Sequence, residues 1–164
     1  MEALWVPAYI AVGSNLDDPA ARVRRGLEAL GHLPRSRRVA QSRLYRSAPL
    51  GPQDQPEFVN AAAGLLTRLS PRELLGSLQQ LEISLGRERP VERWGPRRID
   101  FDLIVYGAEC INEPDFVVPH RGAPVRNFVL YPLLDIAPEL LVPGHGRIQV
   151  LAARVGSAGL APLA

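Results

Sequence analysis

The sequence predicts an α+β sandwich in which an antiparallel sheet is covered by two helices on one face. Short β-prone segments alternate with two amphipathic helices in the order βαββαβ, the connections are short, and each helix carries its own start and stop signals. At 164 residues, a single domain over 1–164 with one sizeable core is expected. The hydrophobic fraction of 46% and the charged fraction of 22% are those of an ordinary globular chain, with no repeat or low-complexity segment.

Tyr9 to Gly13 is short, β-prone and closed by Gly13-Ser14-Asn15, which predicts a first strand running into a turn. The apolar run Ala3 to Gly13 that contains it is preceded only by Glu2, where an export signal would carry a basic start, so a strand is the better expectation. Asp18 can cap the next segment and Pro19 suits its first turn, while Val23, Leu27 and Leu30 form one helical stripe that Gly31 stops. A second strand is expected over Arg38–Arg46, a loop over Ser47–Pro56 whose three prolines deny ladder donors, and a third strand over Phe58–Thr67. Ser70-Pro71-Arg72-Glu73 is a capping box with proline at the first helical position; Leu74, Leu78, Leu81 and Leu85 make the stripe behind it, and Gly86 ends it. Ile99–Tyr106 reads as a fourth strand with Ile99, Phe101, Leu103 and Val105 on one face. The order is that of a ferredoxin-like sandwich. Gly107–Ala164 should add an edge hairpin and short helices near Phe128–Leu134 and Ile148–Val155, with a frayed tail over 156–164.

Composition narrows the chemistry. All 19 basic residues are arginine, which removes every mechanism that needs a lysine amine and leaves guanidinium forks, backbone amides or metal to hold any phosphate. The pI is about 9.1, yet the net charge is only +2, so where the charge sits matters more than its total. Cys110 is the sole cysteine, which leaves no internal disulfide or thiol zinc site and predicts a cytoplasmic, reducing setting. No apolar run approaches the roughly 20 residues that span a bilayer, so no membrane role is expected.

On a strand, Asp100 and Asp102 share one face with Cα atoms roughly 7 Å apart. Two acids so placed need a compensating cation, and either Arg97 and Arg98 or a hard ion such as magnesium would serve. Arg87, Arg89, Arg93, Arg97 and Arg98 crowd one loop together with Trp94 and lead straight into the acids. A polyphosphate with metal between them would neutralise both signs, whereas a solvated surface is the ordinary fate of an arginine run. Glu82 stands at the margin of the second helix's stripe, where it suits either a ligand or a helix-end ion pair. His120 follows an extended run and suits either a phosphate or a turn. Phe58 and Phe128 fit a core or a flat ligand, and Asn60, on the same strand face as Phe58, could meet a heterocycle's edge.

Pro49-Leu50-Gly51-Pro52-Gln53-Asp54-Gln55-Pro56 and Arg93-Trp94-Gly95-Pro96-Arg97-Arg98-Ile99-Asp100-Phe101-Asp102-Leu103, with Ala8–Leu16 before them, carry a resemblance. From Ala8 to about Pro143 the chain closely resembles the 6-hydroxymethyl-7,8-dihydropterin pyrophosphokinases of folate biosynthesis. The resemblance implies diphosphate transfer from ATP to the pterin, with AMP as the other product. By matching position it implies that Asp100 and Asp102 hold two Mg2+ ions, that Gln79, Glu82, Arg87, Arg89, Trp94, Arg97, Leu103, His120 and Arg126 attend ATP, and that Arg87 and Arg97 act on the transferring group. The pterin would stack between Phe58 and Phe128, with Ser47, Ala48, Leu50, Asn60 and Trp94 around it. The expected partners are ATP and hydroxymethyl-dihydropterin, with no nucleic acid, and the expected form is a monomer. Arg121-Gly122-Ala123-Pro124-Val125 departs from the family's usual more polar run, and Asp115 stands near where some members place a basic ATP contact.

Two rivals make different demands. A nucleotidyltransferase also pairs Gly-Ser with two acids, but keeps them close in sequence. An RNA-binding βαββαβ module is favoured by the basic pI, but presents aromatics where this chain has Asp100 and Asp102.

Overall fold

The structure is a computed structural model that describes residues 4–47, 57–86 and 99–163. Its main sheet contains strands β1 (Val6–Ser14), β2 (Ser36–Gln41), β3 (Tyr45–Ser47), β4 (Phe58–Thr67), β5 (Asp100–Tyr106) and, by its place in the chain, β10 (Leu160–Pro162). The order is β10-β3-β4-β1-β5, with β2 also on β4, and every pairing is antiparallel. Strand β1 is central, flanked by β4 and β5, which is the ferredoxin-like arrangement the element order predicts.

Helices α1 (Pro19–Leu30) and α2 (Pro71–Gly86) cover one face. Asp18 accepts from the Ala21 amide at 3.4 Å to start α1, and Pro19 stands at its first turn. The capping box of α2 is reciprocal: Glu73 accepts from the Ser70 amide at 2.9 Å, and Ser70 Oγ accepts from the Glu73 amide at 3.2 Å. Leu27, Leu30, Leu74 and Leu78 are fully buried against Ile10, Val12 and Phe101, each contributing about 1.5–3 kcal/mol by removal from water. At Gly26 an added Cβ would fall 2.4 Å from Ile99 Cδ1 and 3.2 Å from Phe101 Cζ, so α1 packs closely on the side chains at the start of β5.

The second face is covered by α3 (Asn127–Ile136) and α4 (Ile148–Val155), built around Leu130, Leu133, Ile148 and Leu151. These are the two helical segments expected after Gly107. The expected hairpin forms as β6 (Ile111–Glu113) and β7 (Phe116–Val118), a two-stranded sheet of its own, and β8 (Leu141–Val142) pairs with β9 (Gly146–Arg147) in another.

Three expectations need correction. The second strand is not continuous over 38–46. The Ser42 amide still donates to the Ala62 carbonyl at 2.9 Å, but the Ala62 amide donates at 2.8 Å to Ser42 Oγ, which itself donates to the Arg43 carbonyl at 2.6 Å. A side chain thus takes the place of one backbone acceptor where β2 and β3 separate. Val105 does not share a face with Phe101 and Leu103. The register on β1 passes from Leu103 opposite Ile10 to Val105 opposite Tyr9, leaving Ile104 as an extra residue, and this bulge sends Val105 to the α3 side and Tyr106 to the α1/α2 side. The tail is not frayed over its length: Leu160–Pro162 pairs with β3 as β10, and the Leu163 amide donates to the Leu44 carbonyl at 2.9 Å.

Candidate active site

The site opens on the α3 side of the sheet, at the end where β1 finishes and β5 begins. Register sets its floor: on β1, Gly13 stands opposite Asn60 of β4 on one side and Asp100 of β5 on the other, and Ala11 stands opposite Asp102. Period-two alternation turns Phe101 and Leu103 into the α1/α2 core, where they are 3% and 4% exposed. The same alternation leaves Asp100 and Asp102 on the open face, both partly exposed.

A cavity of about 220 Å³ brings together Ser47, Phe58, Asn60, Asp100, Asp102, His120, Arg126 and Phe128. Asn60 is 7% exposed and its Nδ2 donates to Ser47 Oγ at 2.9 Å. With one amide proton engaged on Ser47, the second proton and the acceptor Oδ1 are the groups that can meet a ligand's polar edge. An added Cβ at Gly13 would stand 2.9 Å from that Oδ1, so the amide lies flat over a glycine.

Beside it, a second cavity of about 360 Å³ shares Asp102, His120 and Arg126 and adds Leu103, Phe101, Leu75, Phe116, Asp115 and Arg121. His120 Nε2 lies 3.9 Å from Asp102 Oδ1, and its Nδ1 accepts from the Gly122 amide at 3.1 Å. The Arg126 guanidinium carbon lies 5.9 Å from the centroid of the Phe128 ring. The shared residues stand where one ligand would meet another.

Glu82 lines neither cavity: it accepts from the Phe101 amide at 3.1 Å, tying the end of α2 to β5 between the two acids. Gln79 is exposed one turn earlier on the same helix. Asp115 pairs with Arg72 at 3.1 Å, alongside an Arg72–Glu113 contact that ties the start of α2 to the β6–β7 hairpin. The hydrogen bond from Arg72 holds the Asp115 carboxyl below its usual range. Arg87, Arg89, Trp94, Arg97, Ala48 and Leu50 lie outside the described residues. Sequence reasoning did not select Gly13, Phe101, Leu75 or Phe116 as site residues. Gly13 becomes visible only when β1 is laid beside Asn60, and the other three read as ordinary core.

Among the described residues no group of three or more His, Cys, Asp and Glu forms a metal cluster. Two carboxylates on a half-open wall suit magnesium, which keeps several waters and takes its remaining ligands from substrate phosphate.

An antiparallel α+β sandwich whose paired acids line a cavity with two rings, beside a second cavity that shares Asp102, suits a transferase acting on small molecules, and comparison with known proteins makes it a pyrophosphokinase. The model of the 7,8-dihydro-6-hydroxymethylpterin-pyrophosphokinase (HPPK) family matches residues 9–138. The chain belongs to that family. It is 47% identical over 146 residues to the 2-amino-4-hydroxy-6-hydroxymethyldihydropteridine pyrophosphokinase of Pseudomonas aeruginosa, covering 88% of this chain and 90% of that one. Its identity to the enzyme of the same name from Haemophilus influenzae is 44%, over 89% and 91% of the two chains. Among solved structures, the HPPK-DHPS of Plasmodium falciparum superposes with a TM-score of 0.74 at 14% identity, covering 93% of this chain and 46% of that chain. That likeness is one of fold, and this chain spans under half of that protein.

Proposed function

We infer that the cleft transfers a diphosphate group from ATP to the hydroxymethyl oxygen of 6-hydroxymethyl-7,8-dihydropterin, giving AMP and the pterin diphosphate. One observation carries this reading: Asp100 and Asp102 share a cavity with Phe58, Phe128 and Asn60, so the groups suited to phosphate and those suited to a flat polar ring are within one ligand's reach. The pterin ring stacks between Phe58 and Phe128, and Asn60, steered by Ser47, accepts from its amino edge. The family resemblance assigns Ala48, Leu50 and Trp94, which lie outside the described residues, to the pterin as well. ATP occupies the second cavity, with Leu103 against the base and His120 and Arg126 toward the phosphates; the family resemblance assigns Gln79, Glu82, Arg89 and Trp94 to ATP as well.

The pterin oxygen attacks the β-phosphorus in line, the bond from that phosphorus to the α-phosphate oxygen breaks, and AMP leaves. Asp100 and Asp102 would hold two magnesium ions, which when bound supply charge neutralisation for the phosphates. The family resemblance assigns Arg87 and Arg97 to the transferring group, whose charge guanidinium forks suit. The hydroxymethyl proton is released to solvent as the new phosphorus–oxygen bond forms, and no dedicated general base is assigned. We place the enzyme in the cytoplasm as a monomer acting on small molecules, without nucleic acid or membrane. The sole cysteine suits that compartment. Among the described residues no helix is long and apolar enough to cross a membrane.

The test is the identity of the nucleotide product. Protein, magnesium, ATP and hydroxymethyl-dihydropterin should yield AMP in step with pterin consumption. ADP, or folded protein without turnover, would refute the reading.

A further inference from the structure

We propose that Gly122 is a positioning residue for the transfer: its missing side chain makes room for Arg126 between the two cavities, and its amide orients His120. The proposal rests on the diphosphotransfer reading of the site. Two independent contacts meet at Gly122.

The first contact is with Arg126. A Cβ at position 122 would stand 2.5 Å from Arg126 Cζ, 2.6 Å from Nε and 2.9 Å from Nη1. The guanidinium therefore packs directly on the Gly122 backbone while its other neighbour is the Phe128 ring. In that position it lines both cavities. A cation held there meets ring and phosphate together, and one swung outward meets neither.

The second contact is with His120. The Gly122 amide donates to Nδ1 at 3.1 Å, so the neutral imidazole carries its proton on Nε2. That nitrogen is the one 3.9 Å from Asp102 Oδ1. Turn geometry at Gly122 thereby fixes which face of His120 a phosphate would meet.

Conformation is not what requires glycine here. Gly122 has φ −83° and ψ −15°, which alanine adopts without strain. The atoms in the way all belong to the far end of one flexible side chain. Gly122→Ala is thus accommodated by displacing Arg126, not by unfolding, and it keeps the amide that holds His120. Replacing glycine at a compatible backbone position also restricts the unfolded chain, which favours the folded state.

Gly122→Ala, Arg126→Ala and the double variant test this by steady-state kinetics, thermal melting and NMR of the arginine Nε–H signals. Gly122→Ala should melt at or above the parent temperature while kcat/KM falls at least tenfold. The double variant should be no worse than Arg126→Ala alone, because the glycine acts through the arginine. The Nε–H signal that disappears in Arg126→Ala should shift in Gly122→Ala. Activity within twofold of the parent with that signal unmoved would overturn the proposal, as would a full Gly122→Ala loss persisting in the Arg126→Ala background. A parent that forms no AMP refutes the transfer reaction instead, and the unshifted or shifted Arg126 signal still decides the Gly122 contact.

Discussion

Tyr45→Phe removes a single oxygen from the joint between the sheet and α3, the helix that carries Phe128 into the site. The Tyr45 hydroxyl lies 2.8 Å from both Asp135 carboxylate oxygens, and Arg43 Nη2 donates to that hydroxyl at 2.8 Å. Arg43 also reaches Asp135 through Nε at 3.1 Å and Nη2 at 3.0 Å. The ring is 4% exposed and the Asp135 side chain 17% exposed, so water replaces the lost partner poorly. A hydrogen bond to a charged group contributes about 1.5–3 kcal/mol. Arg43 continues to hold the carboxylate, which places the expected loss near the lower end, about 1.5–2 kcal/mol. At roughly 2–4 °C per kcal/mol for a chain of this size, the melting temperature should fall by about 3–8 °C at neutral pH.

The pH dependence carries the sign. Burial and the Asp135 carboxylate push the Tyr45 phenol up to about 12, so its contribution is complete below the unfolded value near 10 and is lost as pH rises through about 12. Burial by itself would raise Asp135, but the hydrogen bonds from Arg43 and Tyr45 overcome it and hold the carboxyl below its usual range. That contribution is present above the unfolded carboxylate value near 3.9 and is lost as pH falls through the lowered folded value. The difference between parent and variant should therefore be largest from about pH 5 to 9 and shrink at both extremes. Melting curves in that window that coincide within 1 °C would refute the account of this network.

Asp102→Asn keeps the apolar face of β5 and should leave melting within about 2 °C of the parent while lowering turnover at least a hundredfold; activity within tenfold would remove Asp102 from the metal role. Gly13→Ala forces the Asn60 amide away from its place over β1. It should raise the pterin KM about tenfold, equivalent to about 1.4 kcal/mol, with the ATP KM little changed, as read from separate substrate titrations. An unchanged pterin KM would count against Asn60 as the edge-reading amide.

The parts of the fold legible in the sequence are those decided within a few residues. The caps at Asp18 and Ser70 form because hydroxyl and carboxylate oxygens reach amides three positions away, and the leucine stripes follow from helical period. The shared face of Asp100 and Asp102 follows from strand period in the same way. The interruption at Ser42 and the bulge at Ile104 were not legible, because each is defined by what the neighbouring strand offers: the Ala62 amide in one case and the register of β1 in the other. The tail gave no signal either, since Leu160-Ala161-Pro162 becomes a strand only where β3 presents an edge.

For the site, the sequence by itself determined the chemical inventory: acids at strand spacing, no lysine, a dense arginine loop, and motifs specific enough to carry the family resemblance. The tertiary structure decided which of those groups meet. Phe58 and Phe128 lie far apart in the sequence and share a cavity only because α3 folds across β4. Glu82, equally suited by sequence to a ligand or an arginine, accepts from the Phe101 amide, a partner no sequence pattern announces. Gly13 and Gly122 acquire meaning only from the side chains that occupy the space where their own would be. Backbone propensity and periodicity act along the chain, whereas close approach is a property of two segments at once, which is why the acids could be read from the sequence and the glycines that position their neighbours could not.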